Sequence, residues 1–451
     1  MYKIYNMDKI LEIIQNIHMR NNKINNVMAN TLPITDTNLK KYLEYTKIHG
    51  PSSVILYKLN NRLLLFFRDV HIEPEKQCND SCSIDKNNCV WISDFLKDLF
   101  TNAPSCIDFF CETTTWFQIQ EKIKDNQDRI MHYLLYEKKL EKRIKGLMKT
   151  KTEFIDCLSP YKLGCSAYKT TRFHNIEFRR FAFEYYNLTT DMKNILNLPV
   201  YYLLKSGIDE IPDSEQLKSF IDIKKYNHKF KDFLINLNKY KDILETLLNN
   251  DMLSLSNIIN SLYNNFDEYS NYKTYFDPSK LLKSPYPKLW KQLNTLQPVC
   301  QIYIKQYIRD RYKHDCEQYI TKIHNIMRHN NVDLLLLIEY LNDFYTNFSI
   351  LIFDAYTIAR MMKAIFNYDD SSLIITYAGG FHIQQYEDFF NKFSLQFHLE
   401  FEKITDIGKS KDQSGCIQLN DNWNIIISQL QEAFNNSGKC AIKEGIPFDV
   451  L

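Results

Sequence analysis

Three stretches of the chain share one pattern of apolar and polar positions. Leu63 to His71 (LLLFFRDVH) is a run of β-forming residues that ends in Asp69 and His71. Cys106 to Glu112 (CIDFFCE) is apolar, apart from Asp108, until it reaches Glu112. Leu373 to Tyr386 (LIITYAGGFHIQQY) is a third apolar run, broken at Gly379-Gly380, with His382 at the break and helical spacing in the residues that follow. Short, nearly unbroken apolar runs predict strands buried on both faces. A buried strand, a glycine turn and then a helix is how α/β sheets present polar side chains at their C-terminal edge. The pattern predicts that these three strand ends meet.

The rest of the chain is read from its periodicity. SVILYKL (53–59), Asn60-Asn61 and RLLLFF (62–67) predict a hairpin, because Asn tolerates the positive φ of a tight turn. Helical spacing marks residues 1–30, 38–49, 91–100 and the charged stretch 116–151. YKTTRFHNIEFRRFAFEYY (168–186) sets Arg172, His174, Glu177, Arg179 and Arg180 among aromatics, which predicts an edge strand or a helix face with a solvated polar side. Residues 188–331 are helical with polar breaks, and Pro278, Pro285 and Pro287 mark a non-helical connection. Residues 332–367 predict one or two apolar helices carrying Arg360. SLQFHLEFEKI (394–404) alternates as a strand and would complete a β-α-β unit with the helix after His382, and WNIIISQLQEAF in the tail is helical.

The expected fold class is therefore α/β, a mixed central sheet flanked by helices with a large helical insertion. The divisions are N-terminal helices over 1–50, a first half of the core with a long helix over 51–187, the helical insertion or cap over 188–331, and a second half of the core with a tail over 332–451.

Composition narrows the function classes. A chain of 451 residues that is 45% hydrophobic can bury a large core, and ten glycines with twelve prolines favour helices over a turn-rich β fold. A net charge of +2 supplies no global field for nucleic acid or membrane, and the basic stretch RFHNIEFRRF is too short to change that. The abundance of Asn, Lys, Ile and Tyr is the bias of an AT-rich genome, such as that of a large DNA virus or a protist. The N-terminal stretch is interrupted by Asp8, Lys9 and Glu12, which predicts no secretory leader, and no apolar run is long enough for a transmembrane segment. Eleven scattered cysteines predict reduced thiols and a cytoplasmic location, in host cytoplasm or virion for a viral protein. Cys78, Cys82 and Cys89 cluster without a paired CxxC, leaving a zinc knuckle, free thiols or a local disulfide as alternatives.

The candidate chemistry lies at the strand ends. His71, Glu112 and His382 have the donor types of a divalent-metal site, suited to Zn, Mn, Co or Fe(II), and such an ion lowers the pKa of a bound water for hydrolysis. Asp69 would orient His71 as an outer acceptor, and Arg360 would bind an anionic group. Without metal, Glu112 and one histidine would serve as general base and acid. His174, Glu177 and Arg179 are candidates for the surrounding shell.

Four pieces in order, RDVH (68–71), DFFCE (108–112), ARMMKAI (359–365) and AGGFH (378–382), resemble the motifs of the Tiki/TraB superfamily, which includes erythromycin-esterase-like and ChaN-like haem-uptake proteins. The resemblance implies an α/β core and one pocket shared by His71, Glu112, Arg360 and His382. It also implies a hydrolase of small-molecule or peptide substrates, metal-dependent and protease-like in one branch, metal-free and esterase-like in another. Two positions depart from the pattern: Arg68 stands where the family usually has glycine, and Thr113 where Asp follows the glutamate. The alternative is a non-catalytic viral structural or host-interaction protein that keeps a degenerate pocket.

Overall fold

The computed structural model describes residues 39, 41–69, 89–112, 150, 153–158, 168–176, 241–242, 244–246, 248–249, 289, 293–328, 334–366, 371–408, 416–436 and 440. In chain order the elements are β1 (Lys47–His49), β2 (Ser53–Leu59), β3 (Arg62–Asp69), β4 (Cys89–Trp91), α1 (Ile92–Asn102), β5 (Cys106–Cys111), α2 (Ile155–Leu158) and β6 (Thr171–Asn175). They continue with α3 (Pro298–Asp315), α4 (Glu317–Arg328), α5 (Leu334–Phe366), β7 (Ser371–Gly379), α6 (Gly380–Phe397), β8 (Phe401–Ile407), β9 (Cys416–Gln418) and α7 (Asp421–Asn436).

The expected α/β class is what the structure has: a mixed six-stranded sheet flanked by helices. Its order is β6-β5-β7-β3-β2-β8. The four strands from β6 to β3 are parallel, while β2 and β8 extend the sheet antiparallel. The β2–β3 hairpin turns at Asn60, whose φ of 51° is the left-handed conformation that the turn demands. A second sheet of three short strands has the order β4-β1-β9.

Both faces of the parallel strands are buried, as their unbroken apolar runs require. On one face Leu65, Phe67, Phe109, Ile375 and Tyr377 pack with Phe95 and Leu99 of α1 and with Trp423, Ile426 and Leu430 of α7. On the other lie Phe66, Phe110, Ile374 and Thr376, and α6 packs against β3, β7 and β8. Burying each phenylalanine contributes about 1.5–3 kcal/mol.

Several expectations are corrected. Within the stretch 38–49 Leu39 is helical, Lys41–Leu43 form a 3₁₀ turn and Lys47–His49 form β1, because β4 and β9 pair with Lys47–His49 and tertiary pairing overrides local helical spacing there. The alternation over 394–404 does not begin a strand at Ser394. Tyr386, Phe389, Phe390, Phe393 and Phe397 make an apolar stripe at helical spacing that carries α6 on to Phe397, where His398 closes it with a left-handed cap. The segment at 171–175 is the expected edge strand, yet its polar side is not solvated: Arg172 and His174 are both buried.

The thiols also differ from expectation. Cys106 is bridged to Cys440, and Cys89 and Cys157 are disulfide-bonded as well, whereas Cys111, Cys300 and Cys316 are free and buried. The helix expected over 1–30, that over 116–151 apart from Thr150, which is helical and buried, and Cys78 and Cys82 lie outside the described residues.

The chain divides into two compact units. One comprises Met1–Glu177, Leu296–Cys300 and Thr357–Val450 and holds both sheets. The other comprises Phe178–Thr295, Gln301–Tyr356 and Leu451. In the second unit Arg311 pairs with Asp315 and approaches the fully buried Asp354, and Tyr312 meets Phe348 edge to face. Among the described residues no helix is long and apolar enough to cross a membrane.

Candidate functional site

Strand register brings the expected ends together. Asp69 stands opposite Gly379, and Cys111 stands opposite both Tyr377 and Asn175, so β3, β7, β5 and β6 end along one edge of the sheet. Glu112 follows β5 by one residue. Its backbone N–H donates to the Tyr377 carbonyl at 3.0 Å, which prolongs the pairing and leaves its side chain at the edge.

The Glu112 carboxylate is buried, and its Oε2 accepts the Gly379 N–H at 2.6 Å. Gly379 is the N-cap of α6 and has no side chain to cap the helix. Glu112 therefore supplies, from a neighbouring strand, the acceptor that a capping-box glutamate supplies from within a helix. A negative charge there also complements the helix dipole. His382 lies in the first turn of α6 and is buried, while its neighbour Phe381 is exposed.

Asp69 is buried and accepts the Tyr377 hydroxyl at 3.4 Å. Burial, followed by the nearby Asp69 charge, pushes the Tyr377 phenol well above its ordinary range, so it remains a donor. His71, two positions beyond Asp69, lies outside the described residues, as do Glu177 and Arg179.

A second cluster lies lower on the same strands. Asp108, Phe110 and Glu112 fall on one face of β5 by the two-residue period, with about 7 Å between successive members. Arg172 is the direct partner of Asp108 across the β5–β6 ladder, and His174 is the partner of Phe110. Arg172 donates to Asp108 from both Nε and Nη2, at 2.8 and 2.6 Å. His174 contacts Asp108 Oδ1 through Nε2 at 2.7 Å and Arg360 Nη2 through Nδ1 at 2.6 Å, and its ring stacks on Phe110.

The donors and acceptors assign the protons. An ionised carboxylate only accepts and a guanidinium only donates, so His174 carries its hydrogen on Nε2 and presents a bare Nδ1 to Arg360. It is neutral. Burial, reinforced by the Arg360 charge, pushes its pKa down to about 4. For Asp108 burial works in the opposite sense to its neighbours. Burial alone would raise it, but Arg172 and His174 hold the carboxyl well below the usual range. The result is a chain, Arg172–Asp108–His174–Arg360, buried as far as the half-buried Arg360, in which each charged group has an oppositely polarised partner.

Arg68 does not crowd the edge. Its side chain lies on the opposite face from that of Asp69 and pairs with Glu387 and Gln384 of α6. Glu387 also accepts the Tyr57 hydroxyl at 2.6 Å. Tyr57 of β2 and Arg68 of β3 thus tie down the helix that carries His382.

Of the expected site residues, Asp69, Glu112 and the start of α6 with His382 gather at the edge, and Arg360 reaches the Glu112 face of the sheet, opposite to that of Asp69, through His174. Sequence reasoning gave no role to Asp108 and none to the Tyr57–Glu387 pair. A usable signal was present for the first: a carboxylate inside an otherwise apolar buried strand must have a partner, and Arg172 and His174 have the two-residue spacing of one strand face. Among the described residues no group of three His, Cys, Asp or Glu side chains is placed to hold a metal ion. Comparison of the chain with protein-family models, with curated proteins and with solved structures finds no match.

Proposed function

We propose that the protein is a hydrolase of the Tiki/TraB type, acting on a small-molecule or peptide substrate at the C-terminal edge of the six-stranded sheet. The observation that carries this reading is the in-register meeting of Asp69, Glu112 and the glycine turn before His382 at the ends of adjacent parallel strands. Glu112, oriented by Gly379, acts as the base that takes a proton from the attacking water. His382 returns a proton to the leaving group, so that water adds across the broken bond. Arg360 binds an anionic group of the substrate or the oxyanion that develops on it. The His174–Asp108–Arg172 chain positions that guanidinium. Should a divalent ion such as Mn, Co or Zn bind here, His71, Glu112 and His382 are the ligands that would hold it, and it would supply a bound water of lowered pKa.

The test is hydrolysis of a panel of chromogenic esters and fluorogenic peptides by the purified full chain. Glu112→Gln and His382→Asn are each expected to lower any measured rate by about 10²-fold or more with the fold retained. Unchanged rates in both variants would overturn the assignment.

One observation favours a second reading, a non-catalytic structural or host-interaction protein. The Glu112–Gly379 bond is a helix cap in its own right, which explains a buried carboxylate at this position without catalysis. Under that reading the panel shows no turnover, and Glu112→Gln changes stability alone.

A further inference from the structure

The cysteines divide in a way that neither chemistry at the strand ends nor packing requires. Cys89, Cys106, Cys157 and Cys440 are in disulfides. Cys111, Cys300 and Cys316 are reduced, and each is at most 2% exposed. Among the cysteines whose side chains are described, none is both reduced and exposed. A reducing cytosol exerts no pressure toward that partition, because glutathione keeps exposed thiols harmless. In an oxidising compartment an exposed thiol is captured by other disulfides, and only bridged or buried cysteines persist.

The Cys106–Cys440 bridge adds an order of events. It joins positions 334 residues apart, with the Cα atoms 4.8 Å from each other. Cys106 is the first residue of β5 and is fully buried. Cys440 is partly exposed and follows α7, whose Trp423, Ile426, Leu430 and Phe434 pack into the core beneath the sheet. The Cys106 sulfur is buried in the folded protein, so an external disulfide meets the partly exposed Cys440 first and Cys106 follows.

We infer that the chain matures by oxidative folding in an oxidising compartment, in place of the reducing cytosol expected from its sequence. A protein thiol–disulfide exchange catalyst installs the Cys106–Cys440 bridge. The thiolate of Cys440 attacks the catalyst's disulfide, forms a mixed disulfide and expels one catalyst thiolate. The thiolate of Cys106 then attacks the Cys440 sulfur, forms the protein disulfide and expels the second catalyst thiolate. The protein dithiol loses two electrons and two protons, and the catalyst's disulfide becomes a dithiol. The bridge lies at the opposite end of β5 from Glu112, about 20 Å along the strand. The inference therefore stands apart from the hydrolase reading.

The test is thiol mapping of the full chain produced once in an oxidising secretory compartment and once in a reducing cytosol. The protein is unfolded in denaturant and alkylated without reductant, then reduced and alkylated with a second reagent before peptide mass analysis. The expected result for the oxidised preparation is a linked 106–440 peptide, with Cys89 and Cys157 labelled only after reduction, and Cys111, Cys300 and Cys316 labelled on unfolding without reduction. Phosphine is expected to open the 106–440 bridge in denaturant and not in native buffer. Reducing the unfolded protein and refolding it under reducing conditions is expected to lower Tm by about 5 °C or more, and Cys106→Ser with Cys440→Ser to give the same lower Tm without response to reductant. Labelling of Cys106 and Cys440 as free thiols in folded protein from the oxidising compartment overturns the inference, and so does a bridge reduced equally fast with and without denaturant. Thiol mapping needs only the wild-type chain, so it decides the matter even where the double variant does not fold.

Discussion

His174 Nδ1 faces Arg360 Nη2 at 2.6 Å, and the imidazole is held neutral between that guanidinium and the Asp108 carboxylate. An uncharged histidine in this place links the Arg360 guanidinium to the Arg172–Asp108 pair without adding a third positive charge. The consequence is a pH dependence of stability. The His174 pKa falls from 6.5 to about 4 on folding, so between those values the unfolded state binds more protons than the folded state. Stability is full above pH 6.5 and declines as pH drops toward about 4, by about 3 kcal/mol in all. Asp108, also lowered on folding, adds a further loss below its ordinary value of 3.8. Urea unfolding of wild type and His174→Gln at pH 7, 6, 5 and 4 measures the first component. The variant is expected to lack it, and parallel curves for the two proteins would contradict the assignment of a neutral His174.

Asp108 itself is the most costly polar residue to lose. Asp108→Ala removes the acceptor of two Arg172 bonds and one His174 bond inside the sheet, and is expected to destabilise the protein by about 3–5 kcal/mol. Replacing the pair together, as Asp108→Leu with Arg172→Met, is expected to recover most of that loss, because two well-packed apolar side chains leave no buried charge behind. Equilibrium denaturation of the single and double variants checks both figures.

Glu112 has a structural role that activity assays alone would miss. Glu112→Ala leaves the N-cap of α6 without its acceptor and is expected to lower stability by about 1–2 kcal/mol. Glu112→Gln keeps an acceptor oxygen and is expected to lose less. Comparing the midpoints of thermal unfolding for the two variants with their rates on the substrate panel separates capping from catalysis.

Arg68 is expected to act through α6. Arg68→Gly, which restores the glycine of the resembled motif, breaks the pair with Glu387 and loosens the helix that presents His382. A double-mutant cycle between Arg68→Ala and Glu387→Gln is expected to give a coupling of about 1–3 kcal/mol, since both side chains are largely buried. A coupling near zero would mean that the Arg68–Glu387 pair does not hold the helix.

The element pattern was legible from local signals. The apolar runs of β3, β5 and β7 are long enough to be read as buried strands, Asn60-Asn61 marks the hairpin, and Gly379-Gly380 marks the strand-to-helix turn. Each is decided by residues within one or two turns of chain. Even the polar strand ends, Asp69 and Glu112, were visible as the places where apolar character stops.

Adjacency was not legible. β7 inserts between β3 and β5 although it comes about 260 residues after β5, and parallel neighbours leave no mark in one another's sequence. The buried ionic chain joins residues 64, 66 and 186 positions apart. Nothing local distinguishes a polar strand side that faces water from one that faces a carboxylate, which is why Arg172 and His174 read as solvated. The bridge between Cys106 and Cys440 is of the same kind. By itself the sequence determined which segments are strands and helices and where polar groups interrupt them. Only the tertiary structure decided which of those groups meet, because a buried charge is tolerated solely where a partner from elsewhere in the chain has been brought against it.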